Sequence, residues 1–237
     1  MASDSLEQVT AEIVDCAKCP RLVAWREQVA VEKRASFAGE EYWGRPAPGF
    51  GDPRAELLLV GLAPAAHGAN RTGRVFTGDR SGDWVFRALW KAGFANQPAS
   101  VGAGDGLRLT GAYVAAAVRC APPANKPTPE ERDRCRPFLV RELALLDQVV
   151  VVVALGQFAH DVVWPLLAPG ARPRPRFGHL AEHALPDGRR TLLDSFHPSQ
   201  QNTFTGKLTE PAFDAVFTRA AELVRRPRTT PPGASPG

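Results

Sequence analysis

Residues 149–155 read VVVVVAL, an unbroken apolar run that is rich in β-branched side chains. A run of this kind is typical of a strand that is covered on both faces, as in a parallel sheet. Three other runs have the same character: ELLLV at 56–60, AYVAAAV at 112–118 and TLLDS at 191–195. The four runs together predict a central, mainly parallel four-stranded sheet.

Helical patterns lie between and around these runs. At 128–131, TPEE combines a Thr N-cap, a first-turn proline and a capping-box glutamate, which predicts a helix start. Pro137 is expected to kink or restart this helix, which then runs to about Asp147. Apolar periodicity and caps predict further helices at 82–92, 157–167 and 210–225, and after Ser5 near the N-terminus.

Strands that alternate with helices predict the α/β class, here a three-layer α/β/α sandwich. Residues 1–226 are predicted to form a single domain, and the Pro- and Gly-rich segment 227–237 a disordered tail. The sequence contains no apolar run of about 18 residues and no basic leader followed by an apolar stretch. We therefore expect a cytoplasmic protein that does not bind membranes. A net charge of +4 is too small to identify a partner by itself.

Three polar loops each follow one of the predicted strands. They read GLAPAAHGANRTGRVFTGD at 61–79, VRCAPPANKP at 118–127 and HPSQQNTFTGK at 197–207. The carboxyl ends of parallel strands meet at one edge of a sheet, so we expect these loops to enclose one ligand site. No GxGxxG opens a helix and no GxxxxGK[ST] occurs, so neither a dinucleotide nor a triphosphate ligand is indicated.

The three loops closely resemble those of the type 5 (family 5, type b) uracil-DNA glycosylases, an iron-sulfur group within the uracil-DNA glycosylase superfamily. The resemblance runs from Cys16 to about Thr209. It implies a monofunctional DNA-repair enzyme that hydrolyses the N-glycosidic bond of uracil and related deaminated or modified bases, hypoxanthine among them, and leaves an abasic site. The implied partner is DNA containing such bases, and a monomer associated with the nucleoid is expected.

The resemblance places three catalytic residues in these loops. His197 is expected to donate a hydrogen bond to the departing uracil anion. Asp79 is expected to orient water or to stabilise the cationic sugar, with Asn125 as the third member. From the sequence alone, Asp79 could equally be the N-cap of the following helix.

The resemblance also supplies residues that bind the flipped-out base. Phe76 is expected to stack on the uracil ring, and backbone amides at the end of the first strand to contact its edge. Position 63 is alanine where the best-known uracil glycosylases supply an aspartate, and Ala116 stands where type 4 enzymes have an asparagine. Both differences imply relaxed selectivity for the base. The predicted base-binding set is Gly61, Leu62, Ala63, Phe76 and Asn202.

Other residues at this edge are interpreted as contacts to the DNA duplex. The loop after His197 is expected to supply a wedge that fills the gap left by the flipped base, and basic side chains are expected to bind phosphates. The predicted DNA-binding residues are Arg71, Arg74, Lys126, Gln201, Phe204 and Lys207.

Four cysteines indicate a metal or redox centre, because disulfides are rare in a reducing cytosol. They are Cys16, Cys19, Cys120 and Cys135. Their spacing alone suits tetrahedral zinc and a four-iron cluster equally well. The resemblance implies a 4Fe-4S cluster that holds the N-terminal helix beside the DNA-facing edge and takes no redox part in hydrolysis.

Two alternatives stay open at the level of the sequence. One is a type 4-like glycosylase restricted to uracil, which Ala63 and Ala116 disfavour. The other is a non-catalytic module that binds damaged DNA, which the missing aspartate at position 63 favours. The presence of His197, Asp79 and Asn125 together favours the enzyme.

Overall fold

The computed structural model describes residues 4–226, within which six strands form one sheet. In chain order the strands are β1 (Phe50–Gly51), β2 (Leu57–Gly61), β3 (Ala112–Ala116), β4 (Val151–Leu155), β5 (Glu182–Ala184) and β6 (Thr191–Ser195). Their order across the sheet is β1-β3-β2-β4-β6-β5. The four predicted strands are confirmed as a parallel core, and the two short strands that the sequence did not reveal pair antiparallel at its edges.

Helices cover both faces of the sheet, as the α/β/α prediction requires. They are α1 (Leu6–Val14), α2 (Pro20–Glu32), α3 (Ala69–Thr72), α4 (Arg80–Lys91), α5 (Pro129–Leu145), α6 (Gln157–Leu167), α7 (Gln200–Phe204) and α8 (Glu210–Val224). Alternate residues of β2 point to opposite faces: Leu59 packs in a cluster with side chains of α4 and α8, and Leu58 in a cluster with side chains of α5 and α6. Both layers bury apolar surface against the same strand, which explains its continuous apolar sequence.

Side-chain caps fix where several helices begin. Thr128 and Glu131 form the predicted capping box at the start of α5, with Thr128 Oγ1 accepting from the Glu131 amide at 3.3 Å and a Glu131 oxygen accepting from the Thr128 amide at 2.8 Å. The hydroxyl of Ser5 likewise accepts from the Gln8 amide at the start of α1. Each cap satisfies amides that have no partner inside the helix.

Helix α5 and helix α2 depart from the predictions. Pro137 lies inside α5, which continues through it and ends at Leu145. Phe138 and Leu139, which follow this proline, are buried in the core, and their packing offsets the hydrogen bond that a proline removes. Helix α2 was missed because Arg26 lies on its buried face, where the pattern would call for an apolar residue.

Two sequence-based statements concern the chain ends and membranes. The predicted disordered tail, 227–237, lies outside the described residues. Within residues 4–226, no helix is both long enough and apolar enough to cross a membrane.

Candidate functional site

The carboxyl ends of β2, β4 and β6 lie side by side and bring two aromatic rings together. The rings of Phe76 and His197 have centroids 6.0 Å apart and planes inclined by 37°. A Cβ atom on Gly61, at the end of β2, would lie 2.5 Å from Phe76 Cζ. A Cβ on Gly156, just after β4, would lie 3.2 Å from His197 Cβ. Two strand-end glycines therefore make the room that these rings occupy.

The backbone of Phe76 adopts a conformation that bulky residues rarely take. Its φ is +55°, in the left-handed region. The loop fits closely around it, since a Cβ on Gly82 would lie 1.7 Å from the Phe76 carbonyl oxygen. Such a conformation persists only where the surroundings enforce it, which is common in binding sites.

Asp79 lies at the start of α4 and is the N-cap of that helix. Its Oδ1 accepts from the Gly82 amide at 3.0 Å, and Gly68 packs directly against the other oxygen. Burial raises the pKa of this carboxyl group, while hydrogen bonds from the Gly82 and Ser81 amides partly oppose the rise. The N-cap interpretation is thus confirmed, and the cap holds the carboxylate in one place. Its catalytic role stays a prediction.

His197 is held by hydrogen bonds to its own segment. The side-chain amide of Asn202 donates to the His197 carbonyl at 2.8 Å, and the Ser81 hydroxyl donates to the Pro198 carbonyl at 3.0 Å. Burial lowers the pKa of His197 to about 4, so the imidazole is neutral at pH 7. The Ser81 contact joins the first turn of α4, which Asp79 caps, to the loop that carries His197.

In this structure Asn202 therefore binds the backbone of His197. Its side-chain NH2 group donates to the His197 carbonyl. The placement supports a positioning residue and does not support the predicted direct contact with the base. The sequence gives no sign of this bond, because it depends on the turn that α7 makes after Ser199.

Arg71 and Arg74, predicted to bind phosphates, are buried instead. Arg71 is 9 % exposed, pairs with Glu40 and donates to the carbonyls of its own loop, including Gly78 at 3.0 Å. Arg74 donates to Ser100 Oγ at 2.7 Å and forms an ion pair of 2.6 Å with Asp105. Both guanidinium groups hold the loop 61–79 in shape, so their placement does not support the predicted phosphate contacts.

The other predicted DNA-binding residues lie on the surface. Lys126, Gln201, Phe204 and Lys207 are exposed. Phe204, on the short helix α7, is 65 % exposed, and the guanidinium of Arg80 stacks 4.5 Å from its ring centroid. Arg80 was missed by sequence reasoning, since a single arginine at a helix start has no distinctive pattern.

Asn125 is the predicted catalytic residue that the structure does not link to the others. It ends a short 3-10 turn, Pro123–Asn125, and is exposed, with φ of +56°. Among the described residues, no hydrogen bond or ring contact joins it to Asp79 or His197. Its role in catalysis stays a prediction.

The end of β2 and the two residues that follow it, Gly61 to Ala63, are tied to the neighbouring segment. The carbonyls of Gly61 and Leu62 accept from the amides of Ala117 and Val118 at 2.9 and 3.0 Å. This extends the β2–β3 pairing into the loop, which fixes the backbone whose amides are predicted to contact the base.

The model of the uracil DNA glycosylase superfamily matches residues 48–221, which contain the whole of this strand-end cluster. The chain belongs to that superfamily. It is 54 % identical over 220 residues to a protein of Mycobacterium bovis named type-5 uracil-DNA glycosylase, which covers 92 % of this chain and 82 % of the relative. The protein of the same name from Thermus thermophilus is 52 % identical over 217 residues, 92 % of this chain and 97 % of the relative.

Similarity to the type-4 group is lower. A protein of Archaeoglobus fulgidus named type-4 uracil-DNA glycosylase is 29 % identical over 164 residues, which is 69 % of this chain and 65 % of the relative.

In this member of the superfamily, the four cysteines lie together beside the site. With Ile13, Leu22, Val118 and Phe138 they form one cluster, against which Ala63 of the base-site loop also packs. The guanidinium of Arg26 donates to Cys120 Sγ at 3.1 Å, and the Arg119 amide donates to Cys135 Sγ at 3.3 Å.

Burial of these thiols affects their ionisation. Burial raises the pKa of Cys120 to about 11 and of Cys135 to about 12. All four cysteines line the same small cavity.

Proposed function

We propose that this chain is a monofunctional DNA-repair glycosylase that hydrolyses the N-glycosidic bond of uracil in DNA and leaves an abasic site. Relatives 52 and 54 % identical over 92 % of the chain are named type-5 uracil-DNA glycosylases. The observation that carries the proposal is the pairing of Phe76 with a neutral His197 across two glycine-lined strand ends.

The two rings have different roles: Phe76 binds the base, and His197 stabilises the leaving group. A flipped-out uracil stacks on the face of Phe76, which is fixed in the loop by its close fit to Gly61 and Gly82. As the glycosidic bond breaks, negative charge develops on the uracil oxygens. A neutral His197 donates an N–H hydrogen bond to that charge without having to transfer a proton, and its preset position avoids reorganisation at that moment.

Asp79 acts on the sugar side of the bond. Its carboxylate is held by the α4 cap, and α4 in turn contacts the His197 loop through Ser81. A negative carboxylate at a fixed position stabilises the developing cationic sugar and orients the attacking water. Asp79 therefore replaces the aspartate that position 63, an alanine, does not supply.

The substrate range extends to hypoxanthine and other deaminated bases. Ala116, at the end of β3, is buried and offers no side-chain amide to read the uracil edge. Ala63 packs against the cysteine cluster and adds no polar group. A pocket that selects by stacking and by backbone amides accepts a larger purine more readily than one with a base-reading asparagine.

The cysteine centre holds a 4Fe-4S cluster. Four thiolates suit either a single tetrahedral zinc ion or a cluster in which each thiolate binds a different iron. The resemblance of this chain to the iron-sulfur uracil-DNA glycosylases favours the cluster. Cys16, Cys19, Cys120 and Cys135 would be its ligands, and the cluster would tie α1 and α2 to α5.

The expected partner is duplex DNA, on which the enzyme acts as a monomer in the cytoplasm, at the nucleoid. Two surface groups support the contact with DNA: Phe204 on α7 is exposed next to Arg80, and Lys126 is exposed after the turn Pro123–Asn125.

Excision assays on a panel of duplexes test the activity. Duplexes with uracil, hypoxanthine, xanthine or no lesion are incubated with the enzyme and cleaved with alkali. We expect cleavage at uracil and hypoxanthine and none of the undamaged control. Cleavage at uracil alone would indicate the type 4-like alternative, and binding without cleavage would indicate the damaged-DNA binding module.

A pair of substitutions separates the two roles of Asp79. Asp79→Asn keeps an oxygen that can cap α4 but removes the charge. Asp79→Ala removes both. If the carboxylate is catalytic, both variants lose at least a hundredfold in single-turnover rate while binding abasic DNA normally. Near-normal turnover by Asp79→Asn would show that Asp79 serves only as the N-cap of α4.

Iron analysis of the same preparations tests the cysteine centre. We expect about four irons per chain, because four cysteines hold a four-iron cluster.

A further inference from the structure

A buried carboxylate and two histidines lie together at β6, apart from the site described above. Asp194 is fully buried, and its oxygens face His160 Nδ1 at 2.9 Å and His183 Nε2 at 3.0 Å. The three residues come from β6, α6 and the edge strand β5. None of them is a predicted site residue, and no motif in the sequence connects them.

Among residues 4–226, neither an arginine nor a lysine pairs with the Asp194 carboxylate. Within the described part of the chain, both of its ion-pair partners are imidazoles. The backbone amide of Gly178 adds a distant hydrogen bond at 3.4 Å. Burying a carboxylate is costly unless a cation balances it, so this position needs either a proton or a metal ion.

The hydrogen bonds of His160 indicate the same need for a proton or a metal ion. Its Nδ1 faces an Asp194 oxygen, and its Nε2 lies 3.3 Å from the Pro175 carbonyl. Both neighbours are acceptors, but a neutral imidazole has only one N–H. Both contacts are satisfied at once only if the ring carries a second proton or if a metal ion takes the place of one N–H.

We propose that His160, His183 and Asp194 form a zinc site. Their ligand atoms all lie within 4.8 Å of one another. Zinc takes two imidazole nitrogens and a carboxylate at about 2.0–2.2 Å and keeps a water in the fourth position. With zinc on Nδ1, His160 donates Nε2–H to the Pro175 carbonyl, and this is the outer contact that metal-bound histidines usually make. Calcium and magnesium are disfavoured because they prefer oxygen ligands.

The ion would be structural. Asp194 precedes His197 by three residues, so zinc would fix the end of β6 from which the His197 loop departs. The side chain of His183 is 14 % exposed, which gives the ion access from the surface strand β5. The site lies on elements that carry none of the four cysteines.

Zinc analysis of the full-length holoprotein tests the site. Wild type, His183→Gln and the control His179→Gln are dialysed against zinc chloride and then against metal-free buffer, and the metals are counted per chain. We expect one more zinc in wild type and in His179→Gln than in His183→Gln. A zinc count that is equal in wild type and His183→Gln would overturn the proposal. The difference is independent of the metal bound by the cysteines and of excision activity, so failure here is distinguishable from failure of the proposed function.

Anomalous diffraction from wild-type crystals at the zinc edge gives a second measurement that does not depend on a variant. We expect a peak about 2 Å from His160 Nδ1 and His183 Nε2. Crystals grown with zinc that show no peak there would exclude the site.

Thermal unfolding gives a third measurement. With zinc in large excess over its Kd, the Tm of wild type should rise by about 5 °C, and that of His183→Gln should not.

Discussion

The two loops that enclose the Phe76–His197 pair are built in opposite ways. The loop 61–79 contains two buried arginines, Arg71 and Arg74, which are engaged by carbonyls, hydroxyls and carboxylates around them. The segment 197–207 is mostly exposed and is held through bonds to the His197 and Pro198 carbonyls. The first loop, here called the floor loop, is therefore fixed by internal bonds, whereas the second, here called the surface segment, is largely open to solvent.

Charge is used differently in these two regions. In the floor loop, hydrogen bonds from Arg74 and nearby amides hold the pKa of Asp105 at about 2 against the effect of its burial, so this pair is ionised at any ordinary pH. In the surface segment, Lys207 lies 4.6 Å from the Phe196 ring centroid and is exposed. Cations that look equivalent in the sequence thus form a buried ion pair in one region and lie at the surface in the other.

The largest expected effect is on the floor loop. Arg74→Ala leaves the Asp105 carboxylate without its cation, and the free energy of unfolding should fall by about 3–5 kcal/mol. Urea denaturation measures it. The exposed control Lys126→Ala should stay within about 0.5 kcal/mol of wild type. Equal stability of the two variants would contradict a structural role for Arg74.

The surface segment should respond in DNA affinity. Phe204→Ala removes the exposed aromatic ring of α7, which is the predicted wedge. The Kd for uracil-containing duplex should therefore rise about tenfold, which corresponds to about 1.4 kcal/mol of binding free energy. Tm should not change. Val101→Ala is the matched control, an exposed apolar side chain outside the three strand-end loops. A Kd that changes equally in both variants would count against a wedge.

The link between the segment and His197 should appear in the rate. Asn202→Ala removes the hydrogen bond to the His197 carbonyl, worth about 1 kcal/mol, and kcat should fall about fivefold with little change in KM. Gln200→Ala, at an exposed neighbouring position, serves as the control. A rise in KM with unchanged kcat would instead support direct contact of Asn202 with the base.

The smallest effect on the excision rate is expected from pH. Because the folded pKa of His197 is about 4, its protonation should leave the excision rate without an inflection near pH 6.5. Stability should behave differently: the unfolded chain takes up this proton near 6.5, so the free energy of unfolding falls as pH drops from about 6.5 to about 4. His197→Gln should lose that part of the pH dependence. A rate inflection near 6.5 that His197→Gln abolishes would show that His197 titrates normally.

The sequence predicted the strand ends well because the signals there are local. Apolar runs locate β2, β4 and β6, and the capping box at Thr128 locates α5. The meeting of Phe76 and His197 followed from parallel topology and from the resemblance of the loops.

The remaining features depend on contacts between distant residues. The sequence predicted phosphate contacts for Arg71 and Arg74 because it does not show whether a guanidinium group has buried acceptors. The trio of His160, His183 and Asp194 could not be found either, since its members come from three elements. Helix α2 was missed for the same reason: Arg26 is a charged residue on its buried face, where the guanidinium donates to the distant Cys120 thiol.

Gly61 and Gly156 have a consequence for natural and laboratory variation. At Gly156 a side chain would meet both an unfavourable φ of +93° and the His197 Cβ, whereas at Gly61 its nearest contacts would be with the Phe76 ring. A library selected for excision could therefore recover Gly61→Ala through a smaller ring at position 76. It should find no compensating change for Gly156, where the constraint lies in the main chain itself.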